Sequence, residues 1–217
     1  MSLAKCAASS RITLILVALV VILSLGTIAR AQADAKITGD TKMAADAKNT
    51  DPKNAELKPT GNPPAIRIKA GADKDFTDHD GNVWLADRGF DGGETISRPD
   101  ETKIENTKDP GLYRSEHYSM DSFSQKVPNG KYNVKLHFAE TFEEVTEPGG
   151  RVFSFSISGK DFKDFDVCKK AGGPLKAYVE SVDVDVTDGT LKITFTPDVQ
   201  NPEINGIEII PAAEKKM

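Results

Sequence analysis

The chain has 217 residues and carries 28 Lys and Arg against 33 Asp and Glu, a formal net charge of −5. An acidic chain with no Lys/Arg cluster is a poor partner for nucleic acid or anionic lipid, so neither is expected. Of its two cysteines, Cys6 precedes an apolar leader and only Cys168 lies in the body, so loss of the leader excludes an intrachain disulfide.

Residues 12–29 are almost wholly apolar, with Lys5 and Arg11 before them and Ala31-Gln-Ala33 after. A positive start, an apolar run and a small-x-small site predict a secretory signal peptide over residues 1–33. The competing reading is an uncleaved anchor, because the run is close to the shortest membrane span. Either way the protein is expected to be exported, to the periplasm, the cell surface or the medium, with membrane contact only if the segment is retained. Cleavage removes Lys5, Arg11 and Arg30 and takes the net charge from −5 to −8.

Residues 34–64 hold no aromatic and only Ile37, Met43 and Leu57 as large apolar side chains, too little to offset the entropy of ordering. Acid–lysine pairs two apart recur (Asp34/Lys36, Asp40/Lys42, Asp46/Lys48, Asp51/Lys53, Glu56/Lys58), a spacing that shares no helix face. Pro52, Pro59, Pro63 and Pro64 also oppose a helix. A flexible linker of this length holds its ends on the order of 30 Å apart.

From residue 65 the texture changes to short alternating runs punctuated by Gly, Pro, Asn and Asp. Residues 65–69 read as a first strand, followed by an acidic loop at 73–82 and an apolar run at 83–86. Gly89-Phe-Asp-Gly-Gly93 reads as a loop and 94–110 as irregular, with strands expected at 113–118 and 123–127. The clearest strand is 131–139, where Tyr132, Val134, Leu136 and Phe138 alternate with Asn133, Lys135 and His137. That pattern puts His137 on the polar face as an ordinary surface residue. Phe153, Phe155 and Ile157 alternate with serines across 151–158, and Val182, Val184 and Val186 with Asp183 and Asp185 across 178–187. Asp188-Gly189 predicts a hairpin returning antiparallel through 191–195. Residues 204–210 close the domain, and 212–217 form a polar tail. With no helical period beyond two turns, residues 65–211 are expected to be an all-β domain of two packed antiparallel sheets. A jelly roll is the specific expectation, with a barrel as the alternative.

Candidate chemistry is sparse. Asp73, Asp75, Asp78 and Asp80 invite a calcium reading, yet they lack the spacing of an EF-hand, and Asp80-Gly81 more simply makes a turn. Glu140, Glu143, Glu144 and Glu147 are candidates for a glycosidase pair, but three of them lie along one loop, where a charge run is ordinarily a solvated face. His79, His117 and His137 have no metal-ligand spacing, and no nucleophile elbow or phosphate loop is present. A reactive Cys168 beside Lys169 and Lys170 is outweighed by a half-buried small residue. No catalysis, metal or cofactor is therefore expected. Aromatics at loop edges are the better lead: Phe90 among glycines, Tyr118 at a strand end, and Phe142 among glutamates. Sugar rings pack their C–H faces on aromatic planes while their hydroxyls need polar partners. The plainer alternative, an aromatic plugging its loop onto the sheet, is evenly balanced for Phe90 and weaker for Phe142.

Ile66-Arg-Ile-Lys-Ala-Gly71, Gly81-Asn-Val-Trp-Leu-Ala-Asp87, Phe90-Asp-Gly-Gly93, Tyr113-Arg-Ser-Glu-His-Tyr118, Leu136-His-Phe-Ala-Glu140, Arg151-Val-Phe153 and Pro202-Glu-Ile-Asn-Gly-Ile-Glu-Ile209 together resemble a malectin domain, in order across nearly all of 65–211. The resemblance implies a jelly-roll-like β-sandwich that binds carbohydrate without catalysis, at loops on one end. It implies that Tyr118 and Phe142 stack on sugar and that Glu143, Gln200 and Asn201 meet its hydroxyls, with Phe90 standing for a further aromatic. Glu140 is the alternative anchor of the loop. Where the family carries a second aromatic this chain has Glu143, and where it carries an aspartate this chain has Gln200. The resemblance therefore implies an oligo- or polysaccharide ligand, glucose-containing glycans included, rather than one named sugar. The rival expectation is a cell-envelope adhesion or protein-interaction module that has kept the fold and lost the sugar site.

Overall fold

The computed structural model describes residues 63–213. The expected signal peptide, most of the linker and the end of the tail lie outside the described residues. In chain order the strands are β1 (Ile66–Lys69), β2 (Phe76–Thr77), β3 (Val83–Trp84), β4 (Phe90–Ser97), β5 (Ser115–Lys126), β6 (Gly130–Phe138), β7 (Val152–Ile157), β8 (Lys160–Phe165), β9 (Tyr178–Val186), β10 (Thr190–Val199), β11 (Glu203–Ile204) and β12 (Gly206–Pro211). A 3-10 turn at Pro110–Arg114 and one short helix, α1 (Val167–Ala171), complete the fold.

Two antiparallel sheets face each other. One runs β1-β12-β6-β9; the other runs β11-β5-β10-β7-β8 with β4 added against β5. The alternation along β6 works as expected: Tyr132, Val134, Leu136 and Phe138 are all buried in the interface. Facing strands supply Phe123, Phe153, Phe155, Ile157, Ile193 and Phe195. Phe138, Phe153 and Phe165 meet with ring centroids 4.9–6.2 Å apart, the tilted geometry that aromatic quadrupoles prefer. This is the jelly-roll-like sandwich that the alternating runs predict.

Several expectations are corrected. The segment 89–97 is not a loop and irregular chain: β4 begins at Phe90 and pairs with β5 through a bulge at Asp91/Gly92. Glycine obscured the strand because it is needed there. At Gly93 (φ 82°) a Cβ would stand 2.4 Å from the Tyr118 carbonyl oxygen, so only glycine lets the two strands close. The separate strands expected at 113–118 and 123–127 are one strand after its opening 3-10 turn, carried through Ser119 at φ 61°. Tyr118 therefore lies inside β5 rather than at a strand end.

The Asp188-Gly189 hairpin does not form as one. β9 pairs with β6 and β10 with β5 and β7, so the turn carries the chain from one sheet to the other. The turn between β5 and β6 makes the same crossing, and the two are bonded together. Val127 N–H donates to the Gly189 carbonyl (3.1 Å), and Gly189 N–H donates to Asn129 Oδ1 (2.7 Å). β8 is an edge strand of alternating charge that turns back from β7 through Ser158 and Gly159, both at positive φ.

His137 is also corrected. It lies on the outer face of its sheet, but that face is covered there by a second apolar cluster containing Trp84, Ile104, Leu112 and Tyr113. Its ring is buried, edge-on to Trp84 at 5.1 Å. Cys168 is fully buried in α1, and burial pushes its thiol pKa up, as suits an inert packing residue.

Candidate functional site

Ladder register builds the site. Ile96 stands opposite Glu116, and Tyr118 stands between Glu94 on β4 and Glu203 on β11, so these side chains share the outer face of one sheet end. β4 then delivers Arg98, whose Nε donates to Thr141 Oγ1 (3.0 Å) and whose Nη2 reaches Glu116 (3.3 Å). Thr141 in turn donates to the other Glu116 oxygen at 2.6 Å.

The opposite wall comes from the segment that follows β6. Glu140 is fully buried, accepts the Phe142 N–H (2.9 Å) and pairs with Arg151 Nε (2.6 Å). Arg151 Nη1 donates to the Asn201 carbonyl, tying this wall to the β10–β11 connection. Asp166 pins the far end of the loop, accepting from Gly149 N–H (2.7 Å) and from Lys169 N–H at the start of α1 (2.9 Å). Gln200 takes the left-handed conformation, φ 60°, which turns the chain toward Asn201. Phe142 is half-buried and its ring centroid lies 6.0 Å from the Arg151 guanidinium carbon.

The result is a cleft of about 240 Å³ lined by Ile96, Arg98, Glu116, Tyr118, Phe142, Arg151, Gln200 and Asn201. Four of the six residues expected from the sequence, Tyr118, Phe142, Gln200 and Asn201, meet there although up to 83 positions separate them. The other two are placed elsewhere. Phe90 stacks on His117 (4.2 Å, 25°) and packs against Phe123, making it part of the core edge. Glu143 is exposed on the loop beside Phe142 and is not among the lining residues. Glu140 does what the loop-anchor alternative asked of it.

Arg98, Glu116 and Arg151 line the cleft without having been singled out, and Glu203 lies behind it. The available signal was that Glu116, Arg151 and Glu203 fall within the motifs Tyr113-Arg-Ser-Glu-His-Tyr118, Arg151-Val-Phe153 and Pro202-Glu-Ile-Asn205. Glu203 is fully buried, and neither carboxyl oxygen has a hydrogen-bond partner among the described residues. Burial, reinforced by Glu116 and Glu140 and only partly opposed by Arg151 and Arg98, pushes its pKa well above the carboxylate range. Burial likewise raises Glu116, with Thr141 and Arg98 pulling the other way.

A larger hollow of about 370 Å³ lies along Ser156, Thr190, Lys192 and Thr194, but no aromatic lines it. The acidic loop 73–80 spends its central carboxylate on structure: Asp78 accepts from the Asp80 and Asn82 N–H groups and from Trp84 Nε1.

Residues 65–210 match the family model for the Malectin domain. Receptor-like protein 4 of Arabidopsis thaliana is 33% identical over 167 residues, covering 67% of this chain and 27% of that protein. A probable leucine-rich repeat receptor-like serine/threonine-protein kinase of the same plant is 36% identical over 122 residues, 52% of this chain and 12% of its own length. The chain thus spans a small part of the relatives that it matches. Among solved structures, the ANXUR2 extracellular domain from A. thaliana superposes with a TM-score of 0.61 at 18% identity, covering 70% of this chain and 49% of that one. A Bacteroides uniformis beta-glucuronidase does so with 0.62 at 22% identity, covering 69% and 18%. At these identities the structural likeness establishes the fold alone.

Proposed function

The chain belongs to the malectin domain family, and from that premise we propose that it is an exported, non-catalytic carbohydrate-binding protein whose ligand is an oligo- or polysaccharide held in the Tyr118–Phe142 cleft. The observation that carries this reading is the convergence of two aromatics and two amide side chains on one concave surface. Tyr118 and Phe142 offer ring faces to sugar C–H groups, and Gln200 and Asn201 both donate to and accept from hydroxyls. Glu94 accepts the Tyr118 hydroxyl proton at 2.7 Å, which fixes the ring's outer end. Among the described residues Glu116 is the one carboxylate lining the cleft, and it is already bonded to Arg98 and Thr141, so no acid–base pair flanks a bond to be cut. Export is supported by the apolar leader and its flanking residues.

The test is a glycan array probed with the full-length protein and with a Tyr118→Ala/Phe142→Ala variant. Saturable binding by the wild type that the variant loses is expected. A folded wild type that binds no glycan overturns the reading and leaves the envelope protein-interaction module in its place.

A further inference from the structure

Taking carbohydrate binding at this cleft as its basis, we infer that His117 is a positioning residue for the glycan: as an imidazolium it clamps the bulge of β4 against β5, and loss of its proton at alkaline pH loosens the strand that carries Glu94 and Ile96 and delivers Arg98. The support begins with what the ring faces. Nδ1 lies 3.0 and 3.1 Å from the two Asp87 carboxylate oxygens, and Nε2 lies 3.0 Å from the Gly92 carbonyl oxygen. A carboxylate and a carbonyl both accept and neither donates, so each ring nitrogen must carry a proton for both contacts to be bonds. A neutral ring has only one. Phe90 stacks on the same ring at 4.2 Å, and an aromatic face attracts a cation. Because His117 is buried, water does not replace a bond that it fails to make.

The clamp acts where β4 is least supported. β4 pairs with β5 alone, and its residues from Asp91 to Ser97 are exposed. Its bulge falls at Asp91/Gly92, and Gly92 and Gly93 both take positive φ, so the ladder is interrupted there and the His117 ring supplies a bond to the Gly92 carbonyl. Just beyond, Glu94 stands opposite Tyr118 and Ile96 opposite Glu116, and Arg98 follows. His117 lies between Glu116 and Tyr118 with its side chain on the other face of β5. Its Asp87 end is anchored as well: Asp87 Oδ1 accepts the Gly71 N–H at 2.7 Å, and Gly71 packs on the Glu116 backbone. The pair joins three backbone segments behind one wall of the cleft.

The groups that face His117 are Asp87 from the segment ahead of β4, Phe90 and Gly92 from β4, and Ile204 opposite it on β11. Glu116 and Tyr118 flank it along β5, and among the described residues Asp87 is the one charged group that bears on it. Burial opposes the charged ring, but the Asp87 bond, the Gly92 carbonyl and the Asp87 charge outweigh it and raise the pKa above its ordinary value of 6.5. The clamp is therefore fully present below 6.5 and is lost as pH rises through the folded value. The remaining proton then stays toward Asp87, and the Nε2 lone pair is left facing the Gly92 carbonyl oxygen, which pushes the bulge away from β5.

The test is NMR of the imidazole nitrogens and backbone amides of the full-length protein between about pH 5 and about pH 10, with glycan affinity measured over the same range. The probes are tetrasaccharides of glucose, mannose, N-acetylglucosamine and galacturonic acid. Both His117 nitrogens are expected to be protonated at neutral pH. The Gly92, Glu94, Ile96 and Arg98 amides should shift at the pH where the ring titrates, and affinity should fall roughly fivefold across that midpoint, the size of one hydrogen bond. Asp87→Asn keeps an acceptor for Gly71 but removes the charge, so ring midpoint and affinity midpoint should move to lower pH together. A His117 ring with one bare nitrogen at neutral pH overturns the clamp. A ring that titrates while the β4 amides and the affinity stay unmoved, or two midpoints that part in Asp87→Asn, overturns the positioning role while carbohydrate binding stands. A wild type that binds none of the four probes overturns carbohydrate recognition and the positioning role with it, and the ring signature and β4 shifts then decide the clamp by themselves.

Discussion

Two buried polar clusters sit on the outer faces of the two sheets, and they are finished to different degrees. Around His137 every group is paired. Glu208 accepts from Arg67 Nε (2.9 Å) and from His137 Nε2 (3.1 Å), which leaves His137 Nδ1 to accept from the Tyr113 hydroxyl (2.8 Å). Burial raises the Glu208 pKa, but the hydrogen bond from His137 and the nearby Lys135 and Arg67 cations outweigh it and hold the pKa below the ordinary range. Behind the cleft the same kind of residue, Glu203, has no hydrogen-bond partner among the described residues, and its pKa is pushed the other way. The difference is that buried scaffold groups ordinarily complete their pairing, as those around His137 do, and Glu203 beside the cleft departs from that rule among the described residues.

Breaking each cluster should separate them. The largest effect is expected from Arg151→Met, which leaves Glu140 buried without a counter-charge beside an already unpaired Glu203. A loss of about 3–5 kcal/mol in urea unfolding is the expected size for stranding a buried charge. Next comes His137→Phe, which fits the space but leaves the Tyr113 hydroxyl unbonded and Glu208 Oε1 with the Lys135 ammonium at 3.7 Å in place of a hydrogen bond. A loss of about 1–3 kcal/mol is expected, with glycan binding retained.

The pH dependence sharpens the comparison further. Because Glu203 is raised in the folded state, its contribution is fully present below the unfolded value of about 4.5 and is lost as pH climbs toward its folded pKa. Glu208 is lowered, so its contribution is present above about 4.5 and lost as pH falls through its folded pKa. Glu203→Gln should therefore raise the unfolding midpoint at pH 8 and leave it nearly unchanged at pH 4. Glu208→Gln should do the reverse, lowering the midpoint at neutral pH and flattening the acid limb. The smallest structural effect is expected from Tyr118→Phe: removing an exposed hydroxyl leaves the thermal midpoint where it was, yet weakens glycan binding through loss of the contact with Glu94.

What the sequence made legible follows the same division. β6 and β9 were readable because one face of each is apolar and the other solvated, so packing and pattern agree. β4 was unreadable because Gly92 and Gly93 serve close approach to β5, a long-range need with a local turn signature. Asp188-Gly189 did turn the chain, but no local signal says which sheet receives it. His137 was misplaced because its cover, Trp84 and Tyr113, comes from segments more than 20 positions away. Tyr118, Phe142, Gln200 and Asn201, which the family resemblance names, line one cleft. Phe90 was not separable from them, because a glycine-flanked aromatic looks alike whether it faces solvent or stacks on His117. Arg98 carries no pattern of its own, and although Arg151 and Glu203 fall inside the family motifs, nothing local announces their mutual distances.

The most direct test of carbohydrate recognition at the cleft is an amide and side-chain NMR titration of the full-length protein with the tightest-binding glycan. Saturable shifts gathered on Ile96, Arg98, Tyr118, Phe142, Gln200 and Asn201 are the predicted result. Saturable shifts gathered instead on the hydroxyl-lined hollow of Ser156, Thr190, Lys192 and Thr194, with the cleft silent, would contradict it.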